Sequence, residues 1–183
     1  RQTGYEMDSR FKMLFPRMYS SQGHHVSAYK DWGNVKGKRI IVDRCGRQET
    51  LVMPTFGENL RFFFSYQVNF MYWRYFMWNF AGRQNDLQSH GELDKGNWIS
   101  GISFIDNPRL GDQDTLPDSL KNNKGRNRYF MLPLLLGLLG IAWQLCNKKQ
   151  GNMQFWLVFV LFFMTGLAIV MYLNQTPYQP RER

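Results

Sequence analysis

The sequence predicts a mainly α-helical integral membrane protein: a transmembrane helical hairpin preceded by an aromatic helix and by polar, loop-rich segments with a few short strands. Three observations carry that prediction. Two uncharged apolar runs lie close together near the C-terminal end, an aromatic block stands upstream, and the remainder is polar and basic. A mean hydropathy of −0.44 conceals this organisation, because the apolar residues are clustered rather than spread. The predicted parts are a polar segment with short strands (1–57), the aromatic block (58–83), an extramembrane connector (84–128), the hairpin (129–173), and the start of a further loop (174–183).

The hairpin comes first in strength. Residues 129–146 read YFMLPLLLGLLGIAWQLC without a charge. At ~1.5 Å per residue such a helix reaches roughly 27 Å, close to the ~30 Å hydrocarbon core. Tyr129 and Trp143 lie near its ends, where amphipathic rings favour the headgroup level. Pro133 falls in the first turn, where a missing backbone donor is tolerated. Residues 155–173 read FWLVFVLFFMTGLAIVMYL, again uncharged, with Trp156 and Tyr172 near the ends, and the predicted helix runs over 154–173. One such segment alone could be the core helix of a soluble protein. Two joined by the polar turn Asn147-Lys148-Lys149-Gln150-Gly151-Asn152 point to a membrane hairpin.

The aromatic block, NLRFFFSYQVNFMYWRYFMWNF over 59–80, has eleven aromatic residues in twenty-two positions. As a helix over 58–81 it places Glu58, Arg61, Ser65, Asn69, Tyr72, Asn79 and Arg83 on one stripe, and Gln67 and Arg74 on the opposite side. Arg74 at a bilayer centre would cost ~2.5–3.5 kcal/mol on the insertion scale, and so many Tyr and Trp rings suit an interface. The expectation is a helix at the membrane surface or packed against other spans. A third transmembrane span is the alternative.

Elsewhere, residues 39–43 and 49–53 read as strands around a turn at Cys45-Gly46. Residues 84–128, dense in Asn, Asp, Gly and Pro, read as an ordered connector with little regular structure, in which 99–105 could pair as a strand. The chain starts at Arg1 without a signal-peptide pattern and stops in a polar stretch, so an internal piece of a longer protein is expected.

Chemistry-bearing patterns are sparse. Asp112-Gln113-Asp114 has the spelling of a metal-diphosphate pair but lacks a preceding apolar strand, so a solvated acidic turn is expected. His24-His25 diverge as neighbours and lack ligand spacing, and His90 has no nucleophile or carboxylate at a telling distance. Cys45 and Cys146 build neither a disulfide framework nor a metal knuckle. Asn174-Gln175-Thr176 spells a glycosylation acceptor but abuts the apolar run and Pro177. No metal or cofactor is called for. The net charge of +9 is read as attraction to anionic headgroups rather than to nucleic acid, for which no reading module is present. Arg61, Arg74 and Arg83, interleaved with aromatics and accompanied by Glu58 and Asn79, could hold a lipid-linked phosphate by charge-assisted bonds. The structural alternative has Arg61 and Arg83 snorkelling at helix ends and Arg74 pairing with a neighbouring segment.

One stretch is more specific than composition. Pro54-Thr55-Phe56-Gly57-Glu58-Asn59-Leu60-Arg61-Phe62-Phe63-Phe64-Ser65-Tyr66-Gln67, the continuation Tyr72-Trp73-Arg74-Tyr75-Phe76-Met77-Trp78-Asn79-Phe80, and Gly82-Arg83-Gln84-Asn85-Asp86 resemble a bacterial membrane family common in Bacteroidetes, domain of unknown function 2723. Asn127-Arg128-Tyr129-Phe130-Met131-Leu132-Pro133 and Leu173-Asn174-Gln175-Thr176-Pro177-Tyr178-Gln179-Pro180-Arg181-Glu182-Arg183 carry the same likeness, so it spans residues 50–183. The first fifty residues, including Phe15-Pro16-Arg17-Met18-Tyr19 and Tyr29-Lys30-Asp31-Trp32, fit it less sharply. That family resembles protein O-mannosyltransferases of the GT-C class. The resemblance implies a much longer multi-pass protein of the bacterial cytoplasmic membrane. Such a protein would transfer a mannose-like sugar from a polyprenyl-phosphate donor to a hydroxyl of a protein or other acceptor. The catalytic carboxylate of such enzymes lies on a first extracytoplasmic loop, so no catalytic residue is expected in this chain. The partners implied are the bilayer, the lipid-linked donor and the rest of the parent polypeptide. A non-enzymatic assembly or transport component is the alternative. The charges of Lys148 and Lys149 argue for a cytoplasmic turn, whereas Lys121, Lys124, Arg126 and Arg128 argue the reverse. The resemblance would put residues 84–128 in the periplasm.

Overall fold

The computed structural model describes Ser9 and residues 12–13, 18–44, 46–147 and 151–178. Cys45, Lys148, Lys149, Gln150, the Phe15-Pro16-Arg17 part of the N-terminal motif and residues 179–183 lie outside the described residues. The protein is mainly helical, with few strands. The helices are α1 (Gly23–Gly33), α2 (Phe56–Phe62), a π-helical run (Phe63–Trp73), α3 (Arg74–Phe80), α4 (Ser103–Leu110), α5 (Asp118–Lys121), α6 (Leu132–Cys146), α7 (Gly151–Thr165) and α8 (Leu167–Leu173). The strands are β1 (Lys38–Arg44), β2 (Arg47–Met53), β3 (Gly82–Arg83) and β4 (Asn127–Arg128). They divide between two units, Arg1–Gln67 with Leu173–Gln179 and Val68–Tyr172 with Pro180–Arg183.

In the first unit, β1 and β2 form the expected hairpin in a register that sets Lys38 opposite Met53 and Arg44 opposite Arg47. Gly46 takes a φ of 81°, which favours glycine, and its N–H donates to the Asp43 carboxylate at 2.8 Å. α1 falls in a region read as loop. Its sequence, GHHVSAYKDWG, has no side-chain N-cap and few apolar positions, so the periodic signal is weak. Packing makes it a helix: Tyr29 meets Phe62 edge-on at 4.8 Å, Trp32 meets Tyr66 at 5.3 Å, and Phe62 stacks on Tyr66 at 5.3 Å. Asn34 then ends it in the left-handed region.

α2 starts with a capping box. Thr55 accepts from the Glu58 N–H at 3.3 Å, and Glu58 accepts from the Thr55 N–H at 2.7 Å. The same carboxylate also accepts the N–H groups of Lys36 at 2.7 Å and Gly37 at 3.0 Å. Partial burial works to raise the Glu58 pKa, but the backbone N–H groups of Gly37, Thr55 and Lys36 outweigh it and bring it down to about 2.

The aromatic block is helical from Phe56 to Phe80, but its middle is wound more widely than an α-helix. Buried positions recur at Asn59, Phe63, Gln67, Phe70, Arg74 and Met77–Trp78. The polar stripe expected from the sequence (Glu58, Arg61, Ser65, Asn69, Tyr72, Asn79, Arg83) is exposed or half-exposed, whereas the two polar residues opposite it are buried. Each of those two clamps distant chain. The Gln67 amide donates to Asn174 Oδ1 at 3.1 Å and to the Gln175 carbonyl at 2.8 Å within the first unit.

In the second unit, β3 pairs with β4, and Arg83 also bridges to Trp98. Gly82 is the centre of this junction. With φ at 137°, a Cβ there would meet the Asn127 and Ile99 carbonyls at 2.5 and 2.7 Å. Residues 99–105, expected as a possible strand, pair only at their start. Ile99 N–H donates to Gly82 O at 3.0 Å, and Phe130 N–H donates to Ser100 O at 3.0 Å. The Asp106 carboxylate then gathers the Ser100 and Gly101 N–H groups, and the chain turns into α4 at Ser103.

The apolar runs are helical with shifted limits. The first, expected over 129–146, begins only at Leu132. Tyr129 N–H is still bonded to Ala81 O at 2.8 Å, and Phe130 and Met131 have positive φ. α6 has 15 residues, so it is roughly 22 Å long. The second run extends further toward the N-terminus than 154–173. From Gly151 to Leu173 it gives one helix of 23 residues whose most apolar stretch has mean hydropathy 2.4 and is nowhere buried. Among the described residues this is the helix long and apolar enough to cross a membrane. Thr165 returns its hydroxyl to the Leu161 carbonyl at 2.8 Å, as a polar group in an apolar setting requires. α6 packs on α7, and Phe76 of α3 meets Phe162 of α7 at 5.9 Å.

The carboxylate of Glu58 gives a test. Its ordinary pKa of 4.5 falls to about 2 on folding, so its stabilisation is present above pH 4.5 and is lost as pH falls toward 2. Glu58→Gln is expected to speed hydrogen exchange at the amides of Lys36, Gly37 and Thr55 at pH 7, by an amount equivalent to about 1–2 kcal/mol. The difference from the unsubstituted protein should shrink as pH falls from 4.5 and vanish once it has passed below the folded value of about 2. A gap independent of pH would show that the carboxylate charge is not what holds these amides.

Candidate functional site

Of the residues that sequence reasoning grouped, Glu58 and Arg61 belong to the first unit and Arg74, Asn79 and Arg83 to the second. Glu58 holds the Lys36–Gly37 backbone and caps α2, as described above. Arg61 is exposed on α2, in the first unit. Asn79 is exposed on α3 and returns its amide to the Tyr75 carbonyl at 2.8 Å. Arg74 and Arg83 are brought together, on Trp78. The Arg74 guanidinium lies 4.8 Å from that ring and 3.9 Å from Phe70, and the Arg83 guanidinium lies 4.5 Å from Trp78.

Arg74 is only 5% exposed, which decides its role. Its Nε donates to Phe70 O at 2.9 Å and its Nη1 to Gly96 O at 2.9 Å. The structural alternative, pairing with a neighbouring segment, is therefore the observed geometry of Arg74. Arg83 uses Nε to bond Asn85 O at 3.0 Å, and its backbone N–H is taken by Asn127 Oδ1 at 2.7 Å.

Beyond Arg83 the chain folds around two fully buried amides. Gln84 donates to Leu93 O and to Gln113 Oε1, both at 3.1 Å, and accepts from Asn97 N–H at 3.3 Å. Asn85 donates to Asp94 O at 2.8 Å and accepts from Gly96 N–H at 2.7 Å. Unmet, each of these buried groups would cost about 1–3 kcal/mol; satisfied, they fix the loop. The run Gly82-Arg83-Gln84-Asn85 is thus the organiser of residues 82–101. Its signal in the sequence is two uncharged amides placed directly after an aromatic helix.

The same unit contains a small half-open cleft lined by Ile99, Gly101, Ser103, Asn107, Asp114 and Arg128, among others, with Arg126 in its wall. Asp106, 3% exposed, contributes a carboxylate already committed to Ser100 N–H at 2.9 Å, Ser100 Oγ at 3.1 Å and Gly101 N–H at 2.8 Å. Asp112 accepts the Asp114 N–H at 2.9 Å and makes the acidic turn expected of Asp112-Gln113-Asp114. Arg109 lies over Trp98 at 3.5 Å. Arg126, noted in the sequence only as a charge beside the apolar run, is the unusual member. Both terminal nitrogens of its guanidinium are buried without a hydrogen-bond partner among the described residues. Burial and the neighbouring Arg128 lower its pKa, against the attraction of Asp114 and Asp106.

Other candidates are bonded locally. His24 and His25 meet edge to face, His25 bonds Ser20 at 2.8 Å, and His90 donates its backbone N–H to Glu92 at 2.6 Å. Among the described residues no three His, Cys, Asp or Glu side chains gather as a metal site. Cys146 is a free, exposed thiol.

The fold so far defines a mainly helical protein with a helix of membrane-crossing length and an ordered polar module. Residues 1–64 match the family model described as "Family of unknown function (DUF8416)", which covers about a third of the chain. No curated protein and no solved structure matches this chain.

The buried guanidinium of Arg74 yields the test of this geometry. Arg74→Met removes two charge-assisted hydrogen bonds and two ring contacts, so a loss of about 2–4 kcal/mol in unfolding experiments in detergent is expected. Arg74→Lys should fall between the two. Unchanged stability in Arg74→Met would mean that the Gly96 contact holds nothing in place.

Proposed function

We propose that this chain is a membrane-embedded part of a glycosyltransferase of the protein O-mannosyltransferase-like kind. In this reading α6 and the continuous α7–α8 cross the bacterial cytoplasmic membrane as a hairpin. The aromatic helix packs beside them near the interface, and residues 84–128 face the periplasm. The supporting observation for the membrane part is the uncharged α7–α8 surface: 23 residues, all of its most apolar stretch open to the surroundings. Water would oppose so much exposed apolar area, and lipid would accept it. α6 lacks the length to cross alone; Tyr129 and Phe130, both exposed, would add apolar height at its start.

The transfer reading rests on the resemblance of the motif from Pro54 to Asp86. Within it, a sugar would pass from a polyprenyl-phosphate donor to an acceptor hydroxyl, with the catalytic carboxylate supplied by another part of the polypeptide. Arg61, exposed in the first unit, is the arginine of the block free enough to meet a donor phosphate, and Arg83, partly buried on Trp78 in the second, keeps its terminal nitrogens for one. Arg74 and Glu58 act by holding backbone, and Asn79 is an accessory polar group on α3. A non-enzymatic membrane assembly component is the second reading. It is favoured by the internal bonding of the motif: Arg74, Gln84 and Asn85 serve the fold.

The test is transfer of radiolabelled mannose from polyprenyl-phosphate mannose to a Ser/Thr-rich acceptor by the parent protein in detergent. Label is expected on the acceptor, with a loss of at least about tenfold in Arg61→Gln, whose exposed side chain carries no contact described in the fold, at unchanged thermal stability. Failure with this and other lipid-linked sugars would favour the assembly component.

A further inference from the structure

The guanidinium of Arg126 poses a physical problem: among the described residues of its unit it is the charged group whose buried donors lack partners, the Trp78 indole N–H being a neutral one. Arginine carries five N–H donors and stays charged, so burying its terminal nitrogens without acceptors is strongly unfavourable. Every other buried cation or amide of the polar module has its donors placed: Arg74 on Phe70 and Gly96, Gln84 on Leu93 and Gln113, Asn85 on Asp94. Arg126 has neither Nη1 nor Nη2 placed among the described residues.

Its carboxylate neighbours do not resolve this. Asp106 is occupied by Ser100 and Gly101, Asp112 by the Asp114 N–H, and Asp114 attracts Arg126 without bonding to it. Arg128 adds a second positive charge, and the two repel. Two cations therefore line one small cleft, and the terminal nitrogens of one of them have no acceptor among the described residues. An oxyanion set between them would accept both Nη groups end-on and cancel the repulsion.

The rim narrows the ligand further. Asp114 and Asp112 are exposed aspartates of the cleft, and Ser103 and Asn107 offer polar groups from the first turns of α4. A bare multivalent anion would meet those carboxylates unfavourably. A phosphate or carboxylate that carries hydroxyls would give its charge to the arginines and its O–H donors to the aspartates. We propose that the cleft at Arg126 and Arg128 is a binding site for a hydroxyl-bearing oxyanion of the glycerol-phosphate or sugar-phosphate type. Arg128 is followed directly by Tyr129, Phe130 and the apolar helix α6, so the ligand can reach the cleft as a lipid headgroup or as a free phosphate ester. The site does not depend on the transferase reading and would exist in an assembly component as well.

The test uses the full chain in neutral phosphatidylcholine nanodiscs. Glycerol 3-phosphate and inorganic phosphate are titrated by calorimetry, and a parallel series of discs contains phosphatidylglycerol, with retention of that lipid after exchange as readout. Saturable binding of glycerol 3-phosphate, tighter than inorganic phosphate, is expected if the source is free, and selective retention of phosphatidylglycerol if it is lipid. Either supports the site. Arg126→Gln should weaken whichever binding is seen by more than about tenfold, and Arg128→Gln by severalfold. Asp114→Asn should reduce the preference over inorganic phosphate. Arg126→Met, which removes a partly buried charge whose terminal nitrogens lack acceptors, should not lower the thermal midpoint without ligand, so lost binding cannot be ascribed to unfolding. Absence of saturable binding in both series, or binding indifferent to Arg126→Gln, overturns the proposal.

Discussion

The second unit depends on one buried cation. Arg74 sits on the inner face of the aromatic helix, with its guanidinium between the rings of Phe70 and Trp78 and its N–H groups on the carbonyls of Phe70 and Gly96. A guanidinium out of water demands acceptors, and ring faces with backbone carbonyls supply partial negative charge without a second full charge to desolvate. Gly96 can present its carbonyl there because it adopts φ of 55°, and a Cβ at that position would stand 2.6 Å from Leu87 O. The helix and the loop after it thereby become one body, to which β3, β4 and α4 are attached.

The wide winding of the aromatic helix makes this possible. In a uniform α-helix, Gln67 and Arg74 lie apart from the apolar surface and read as interruptions. Between Phe63 and Trp73 the turn contains more residues, and the buried row passes through both of them. Aromatic side chains then flank two polar anchors on the inner face. Gln67 takes hold of the Asn174–Gln175 chain in the first unit, and Arg74 takes hold of Gly96 in the second. The outward stripe is left with Arg61, Asn69 and Asn79, which are exposed.

Two kinds of polar group therefore share the module, and their chemistry separates them. Groups with complete hydrogen bonding, such as Gln84, Asn85 and Asp106, fix backbone and have no donors or acceptors to offer a ligand. Groups that the fold leaves incomplete, Arg126 above all, carry interaction energy that the chain itself does not use. A binding site is built of the second kind and supported by the first, and the cleft beside α4 has both within a few residues.

Much of the architecture was legible in local sequence. The uncharged runs fixed α6 and α7–α8, because apolar length is a property of consecutive residues. The β1–β2 hairpin followed from two short strand patterns around Cys45-Gly46. Pro133 fell in a first helical turn, where its ring is tolerated. Other features needed the folded chain. α1 became a helix through Tyr29 and Trp32 stacking on Phe62 and Tyr66, a contact invisible to periodicity. α6 began three residues late because Tyr129 and Phe130 stay hydrogen-bonded to Ala81 and Ser100. The sequence alone determined that Arg74 requires a partner, since a charge among aromatics cannot be left uncompensated; only the tertiary structure decided that the partner is the carbonyl of Gly96, because backbone acceptors carry no mark in the sequence. The same reason hid Arg126, whose isolation is defined by what surrounds it in space rather than by the residues beside it in the chain.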